Sequence, residues 1–266
     1  MLPVREVRDR LHEAKRLPAY VTFALLGANA VAFLVEQLLI GADNKTFPME
    51  WGLVPRVFSN GDFGHGALTV LTSMFLHAGW FHLIGNLWFL WIFGPSVEDT
   101  LGHKRFAALY LLGGAAAAAV HVGMDPVSRA PMLGASGAIG AVLAAYVSLF
   151  PLRRITTIIP IVIIPLVFSI PAVLFVIEWF AINLLQGIGG LELHPDATSG
   201  VAWWAHIGGF LSGLLLVRLL FPRHHEEPDV HQDEHRPVDG GDVVVRGADG
   251  KRYPTSRGDE DLREAQ

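Results

Sequence analysis

Gly134-Ala135-Ser136-Gly137-Ala138-Ile139-Gly140 opens an apolar run that continues to Phe150 without a charged residue. Gly140 lies four residues after Ser136, on the same helix face. A second run, 201–221, carries His206, with Gly209 and Gly213 three and seven residues later on its face. Gly209-Phe210-Leu211-Ser212-Gly213 is a G-x-x-x-G pattern, and small residues let membrane helices approach closely. A histidine inside an apolar span is costly and marks a functional position. Two small-residue faces set together would bring Ser136 Oγ within hydrogen-bond reach of the His206 ring, which is how a serine nucleophile is activated. Ser136 and His206 are therefore the candidate catalytic residues. Gly137, Gly140, Gly209 and Gly213 are the candidate packing support.

Working outward, the 266-residue chain is 52% hydrophobic, and its apolar residues come in blocks. About 20 apolar residues cross a bilayer core. Six stretches approach that length: 19–40, 80–97, 106–122, 134–150, 171–187 and 201–221. The fourth and fifth are short, and buried, tilted helices are expected there. The fold class is an all-α membrane protein, a six-helix transmembrane bundle.

Basic residues set the expected orientation. Arg5, Arg8, Arg10, Lys15 and Arg16 precede the first span. Lys104 and Arg105 lie between the second and third, Arg153 and Arg154 between the fourth and fifth, and Arg223 follows the sixth. Short loops rich in Lys and Arg stay cytoplasmic. Both termini are then cytoplasmic, and the loop 41–79 is outside. A cell (plasma or inner) membrane is the expected location. The first span is too long for a cleavable signal segment.

Three parts follow along the chain: a cytoplasmic segment 1–18, a six-span core 19–221, and a tail 222–266. The loop 41–79 carries Trp51, Val54, Val57 and Phe58 and is expected to be structured and partly embedded, with a small soluble lid as the other possibility. The stretch 155–169 contains Pro160 and Pro165, which remove helix hydrogen bonds, so an interfacial connection into span five is expected. A longer kinked span also fits. The tail is rich in Asp, Glu, His, Gly and Pro and lacks the apolar surface to fold alone. His224, His225, His231 and His235 imply no fixed metal geometry there. The absence of cysteine excludes thiolate chemistry. The net charge of −5 gives no hint of nucleic acid. No cofactor and no metal are expected.

His82 and Asn86 are i and i+4 near one end of span two, on one face and at the depth of Ser136. Acyl transfer needs donors aimed at the developing oxyanion. The Asn86 amide, the His82 ring and the Ser136 backbone N–H make a candidate oxyanion hole. His77 lies further out and is read as structural. Glu98 and Asp99, at the far end of span two, are read as anchors. Glu178 falls near the middle of span five, either as a gating group or as a hydrogen-bonded structural acid.

Taken together, Gly134-Ala135-Ser136-Gly137, Ala205-His206 with Gly209 and Gly213, His82-x-x-x-Asn86 and Glu98-x-x-x-Gly102 resemble the rhomboid family of intramembrane serine proteases, in its basic six-span bacterial form. The resemblance covers about residues 19–221. It implies Ser136 as nucleophile, His206 as general base, and a dyad without an acidic third member. It also implies single-pass transmembrane substrates with a small residue before the scissile bond, reached from the lipid bilayer between spans two and five. The loop 188–200 would act as a flexible cap. Two features depart from the family pattern. Leu68 and Thr69 stand where a Trp-Arg pair is common, and Gly140 stands where an aromatic residue often stacks on the histidine. Whatever orients His206 must come from elsewhere. A non-catalytic helix-binding protein and a transporter relaying protons through His206 and Glu178 are the competing functions. The first leaves an intact Ser136 and His206 unused, and the second leaves His82 and Asn86 unexplained.

Overall fold

Glycine and alanine decide how the helices meet. The run Gly113–Ala119 and the glycines near Ser136 and His206 leave backbone where other sequences carry side chains, so three helices pack almost backbone to backbone. The computed structural model describes residues 17–41, 46–59, 63–161, 164–193, 202–220, 244–246 and 252–254. Six long helices carry the bundle: α1 (Tyr20–Val35, continued by a π-helical stretch Glu36–Gly41), α5 (Trp80–Leu101), α6 (His103–Met124), α7 (Ser136–Leu149), α8 (Ala172–Leu193) and α9 (Trp203–Leu220). Among the described residues, three helices are long and apolar enough to cross a membrane: Tyr20–Leu38, His103–Met124 and Trp203–Leu220. Ser136–Leu149 and Ala172–Ile188 are apolar but shorter. α5 is long but carries His82, Asn86, Pro95, Glu98 and Asp99.

α7 is the centre of this all-helical bundle. Every residue from Gly137 to Tyr146 is buried, because α5, α6, α8 and α9 surround it. A Cβ added at Gly213 of α9 would lie 2.5 Å from Ala141 Cα of α7, and one added at Gly137 would lie 2.6 Å from Ala117 Cβ of α6. Phe93, Phe106, Leu109, Tyr110 and Leu143 fill the larger spaces.

The loop expected to be partly embedded folds into α2 (Thr46–Trp51), α3 (Pro55–Ser59) and α4 (Phe63–Ser73). It is tied to the α6–α7 connection by backbone bonds and so is no free lid. Leu53 N–H donates to Met132 O at 3.2 Å, Met132 N–H to Leu53 O at 2.8 Å, and Arg56 N–H to Ser128 O at 3.0 Å. Gly134 N–H donates to Ser73 O at 2.8 Å, which anchors the chain two residues before Ser136.

The connection after α7 leads into α8 as a non-helical segment, not as part of a longer kinked span. It is an antiparallel hairpin of β1 (Arg154–Ile161) and β2 (Ile164–Pro171). Its Ile, Val and Thr content favours strands. Pro160 faces Pro165 across the pair, next to its last register position, where the missing N–H groups cost little.

The chain divides into two units, Met1–Arg223 and His224–Gln266. The tail and its histidines lie outside the described residues, except that β3 (Val244–Arg246) pairs antiparallel with β4 (Arg252–Pro254). Those six residues form strands rather than the disorder expected. Residues 1–16 of the amino-terminal segment and 194–200 of the expected cap also lie outside. Residues 188–193 continue α8.

Glu98 anchors α1. Its side chain is fully buried and accepts bonds from Val21 N–H (2.8 Å), Thr22 N–H (2.8 Å) and Thr22 Oγ1 (2.6 Å), with His103 Nδ1 at 2.7 Å. Asp99 Oδ1 accepts from Leu17 N–H at 2.7 Å. A carboxylate at the start of a helix satisfies its free amides and complements its dipole. Glu98→Ala would leave these donors buried and unpaired. It should lower stability by about 3 kcal/mol, read as earlier thermal unfolding in detergent.

Candidate active site

Ser136 is the first residue of α7 and His206 sits in the first turn of α9. His206 Nε2 lies 2.7 Å from Ser136 Oγ. The contact exists because α9 lies backbone-close on α7. A Cβ at Gly209 would overlap the Gly137 carbonyl group, 2.8 Å from its carbon. A Cβ at Gly140 would come within 3.0 Å of His206 O and 3.2 Å of Phe210 N. The absent aromatic at 140 is thus explained by space, since the α9 backbone occupies the position a side chain would fill.

Gly134 turns the chain into α7 with φ +116°, a conformation that favours glycine. It also leaves room for α5. A Cβ there would lie 2.7 Å from His82 Cε1 and Nε2 and 3.5 Å from Asn86 Nδ2. His82 and Asn86 therefore face the backbone that leads into Ser136, as their i, i+4 spacing predicts. Asn86 is buried, and its Nδ2 donates to His82 O at 3.1 Å. The first amides of α7 have no acceptor within their own helix and add donors beside Ser136.

These side chains line one cavity of about 590 Å³, with His82, Asn86, Ser136 and His206 on its wall. Phe81 and Phe89 of α5, Ile139 of α7 and Trp179 of α8 supply its apolar surface. His77, outside the helices, is buried behind it. Its ring is 5.2 Å from that of His82, centre to centre, and its Nδ1 is 3.2 Å from Phe75 O. Burial, and then His82, push His77 down to about 4, so it stays neutral. It does not line the cavity.

Three residues were missed as part of the site. Asn183 is buried, with Oδ1 2.5 Å from His206 Nδ1. The Trp179 ring lies 5.9 Å from the His206 ring at 35°, and Trp203 meets it edge-on at 5.8 Å. Together they supply the orientation that residue 140 does not. Asn183 is conspicuous in sequence only as an amide in an apolar span. Its direction depends on how α8 packs. Glu178, also on α8, is exposed on the bundle surface. That exposure corrects the buried structural-acid role expected for it.

Residues 65–223 match the Rhomboid domain family. The chain is 28% identical over 206 residues to "Rhomboid protein 1, mitochondrial" of Saccharomyces cerevisiae, covering 76% of this chain and 53% of that protein. It is 34% identical over 156 residues to "Presenilin-associated rhomboid-like protein, mitochondrial" of Homo sapiens, covering 56% and 36%. It is 33% identical over 177 residues to "Presenilin-associated rhomboid-like protein A, mitochondrial" of Danio rerio, covering 64% and 42%. The chain thus spans about half or less of the length of these relatives. All three are mitochondrial proteins, and this overturns the expected cell-membrane location. Lys and Arg order the loops across a bilayer but do not say which bilayer it is. These relatives support the family, not the bacterial form of it.

Proposed function

Because the chain belongs to the rhomboid family, whose members are in general intramembrane serine proteases, we propose that it is an active serine endopeptidase. It hydrolyses peptide bonds in or near the transmembrane segment of single-pass membrane proteins. One observation carries the proposal: His206 Nε2 stands 2.7 Å from Ser136 Oγ on the wall of a cavity. Residues 19–221 form the protease core, to which 1–18 and 222–266 are appended.

In this mechanism, Ser136 Oγ attacks the scissile carbonyl carbon as its proton passes to His206 Nε2. The carbonyl π pair moves onto oxygen. That oxyanion is held by Asn86 Nδ2, the His82 ring and the Ser136 backbone N–H. On collapse the C–N bond breaks, and His206 returns its proton to the leaving nitrogen. A water then gives a proton to His206 Nε2 and attacks the acyl ester carbon. On collapse the bond from that carbon to Ser136 Oγ breaks, His206 returns the proton to Oγ, and the new carboxyl group is released. No carboxylate belongs to the proposed site, so no charge need be buried before reaction.

α7 has 14 residues, about 21 Å of helix against roughly 30 Å of hydrocarbon core. That shortness supports a nucleophile below the membrane surface, reached by water through the cavity. Phe81 and Phe89 on one side and Trp179 on the other support substrate access between α5 and α8.

Asn86→Ala should lower turnover by about 100- to 1000-fold with a smaller change in KM, because an oxyanion donor acts on the transition state. Steady-state cleavage of a single-pass substrate in liposomes measures both. Unchanged turnover with a raised KM would make Asn86 a substrate-binding residue instead.

A further inference from the structure

The two hydrogen bonds of the Asn183 side chain, one within α8 and one to α9, run in one direction only. A carbonyl oxygen can only accept, so the Asn183 atom 2.7 Å from Trp179 O is the donating Nδ2. The reversed amide would set two carbonyl oxygens against each other. Asn183 Oδ1 therefore faces His206 Nδ1, at 2.5 Å. An amide oxygen only accepts, so Nδ1 carries the proton. In a neutral imidazole the other nitrogen is then an acceptor, and that nitrogen is the one 2.7 Å from Ser136 Oγ.

We propose that Asn183 is a positioning residue: anchored on the Trp179 carbonyl, it holds His206 in the Nδ1–H tautomer with the Nε2 lone pair aimed at Ser136. This rests on Ser136 and His206 being the reactive pair. When His206 takes the serine proton, Nδ1–H still has its acceptor, so the imidazolium forms without losing a bond. A neutral amide does this without the desolvation cost of a buried carboxylate. The groups facing His206 fit the assignment. Among the described residues they are Ser136 on α7, Trp203 on α9, and Trp179 with Asn183 on α8, with His82 on the same cavity wall and His121 of α6 near enough to interact electrostatically. None is an acid. Both contacts from α8, the amide and the Trp179 ring, bear on one imidazole. A displacement of α8 therefore moves the ring out of alignment.

Two substitutions in the full chain test the proposal. Asn183→Leu removes the acceptor at similar volume, and Asn183→Asp keeps it. Leu should slow fluorophosphonate labelling of Ser136 by about 10- to 100-fold and lower kcat with KM little changed. Asp should label faster than Leu. A role in packing alone predicts the reverse order, because Leu suits an apolar interior and Asp buries a charge. Imidazole 15N shifts of His206, assigned by their loss in a His206 variant, give a second readout that needs no Asn183 variant. The wild type should show protonated Nδ1 and unprotonated Nε2. A protonated Nε2 in the neutral wild type, or wild-type labelling by Asn183→Leu, overturns the proposal. A folded wild type that neither labels nor cleaves overturns the reactive pair instead, while the 15N shifts still judge Asn183.

Discussion

Ser136→Ala and His206→Ala should each lose cleavage of a single-pass substrate by at least about 10,000-fold, and the double variant should be no worse than either alone. In the proposed mechanism the nucleophile and its base act as one unit, so removing either removes the proton transfer that both perform, and their effects do not add. The 2.7 Å contact between Ser136 Oγ and His206 Nε2 is the observation behind this expectation. Neither change should unfold the protein. Ser136 is a small residue at a helix start, and α9 is held by backbone contact through Gly209 and Gly213. Matching thermal unfolding, measured beside cleavage in liposomes, establishes that the loss is chemical. Two single losses that multiplied in the double variant would mean that Ser136 and His206 act independently.

Gly209→Val and Gly213→Val should be nearly as damaging without removing a reacting atom. At Gly209 a Cβ would overlap the Gly137 carbonyl, with its carbon at 2.8 Å and Cα at 3.2 Å. At Gly213 it would meet Ala141 Cα at 2.5 Å and its carbonyl oxygen at 2.6 Å. These neighbours are backbone, so no rotamer change relieves the clash and α9 must move off α7. Overpacking of this kind costs about 1–3 kcal/mol, and a shift of about 1 Å can lose a hundredfold in rate. Both variants should lose fluorophosphonate labelling along with cleavage. Gly27→Val on α1 is the control, because nothing lies within 4 Å of the added Cβ. Normal labelling by both α9 variants would mean that α7 and α9 do not need this contact to bring Ser136 to His206.

What sequence revealed and what it hid divide along a physical line. Gly137, Gly140, Gly209 and Gly213 announced the α7–α9 contact, because glycine at helical spacing reports a backbone approach whatever the partner. His82 and Asn86 were legible for the same reason, since an i, i+4 pair fixes a common face from local geometry alone. Asn183 was not. Its face on α8 is known from spacing, but whether that face meets His206 or lipid depends on how α8 docks. Glu178 shows the converse: as an acid in an apolar span it could be read as a hydrogen-bonded structural group, yet its side chain is exposed on the bundle surface. The stretch 155–169 was seen as unable to continue a helix, but its hairpin arises from pairing between Arg154–Ile161 and Ile164–Pro171, and single-residue preferences do not encode that pairing. The location failed because loop charge describes sidedness alone.

Fluorophosphonate labelling of the purified full chain, with the modified residue identified by mass spectrometry, tests the central claim most directly. The reagent reacts with a serine that a neighbouring base has activated, and no natural substrate is needed. The account predicts one major adduct, on Ser136, absent from Ser136→Ala and strongly reduced in His206→Ala. A folded wild-type protein that forms no adduct on Ser136, or an adduct that persists at equal rate in His206→Ala, would contradict it.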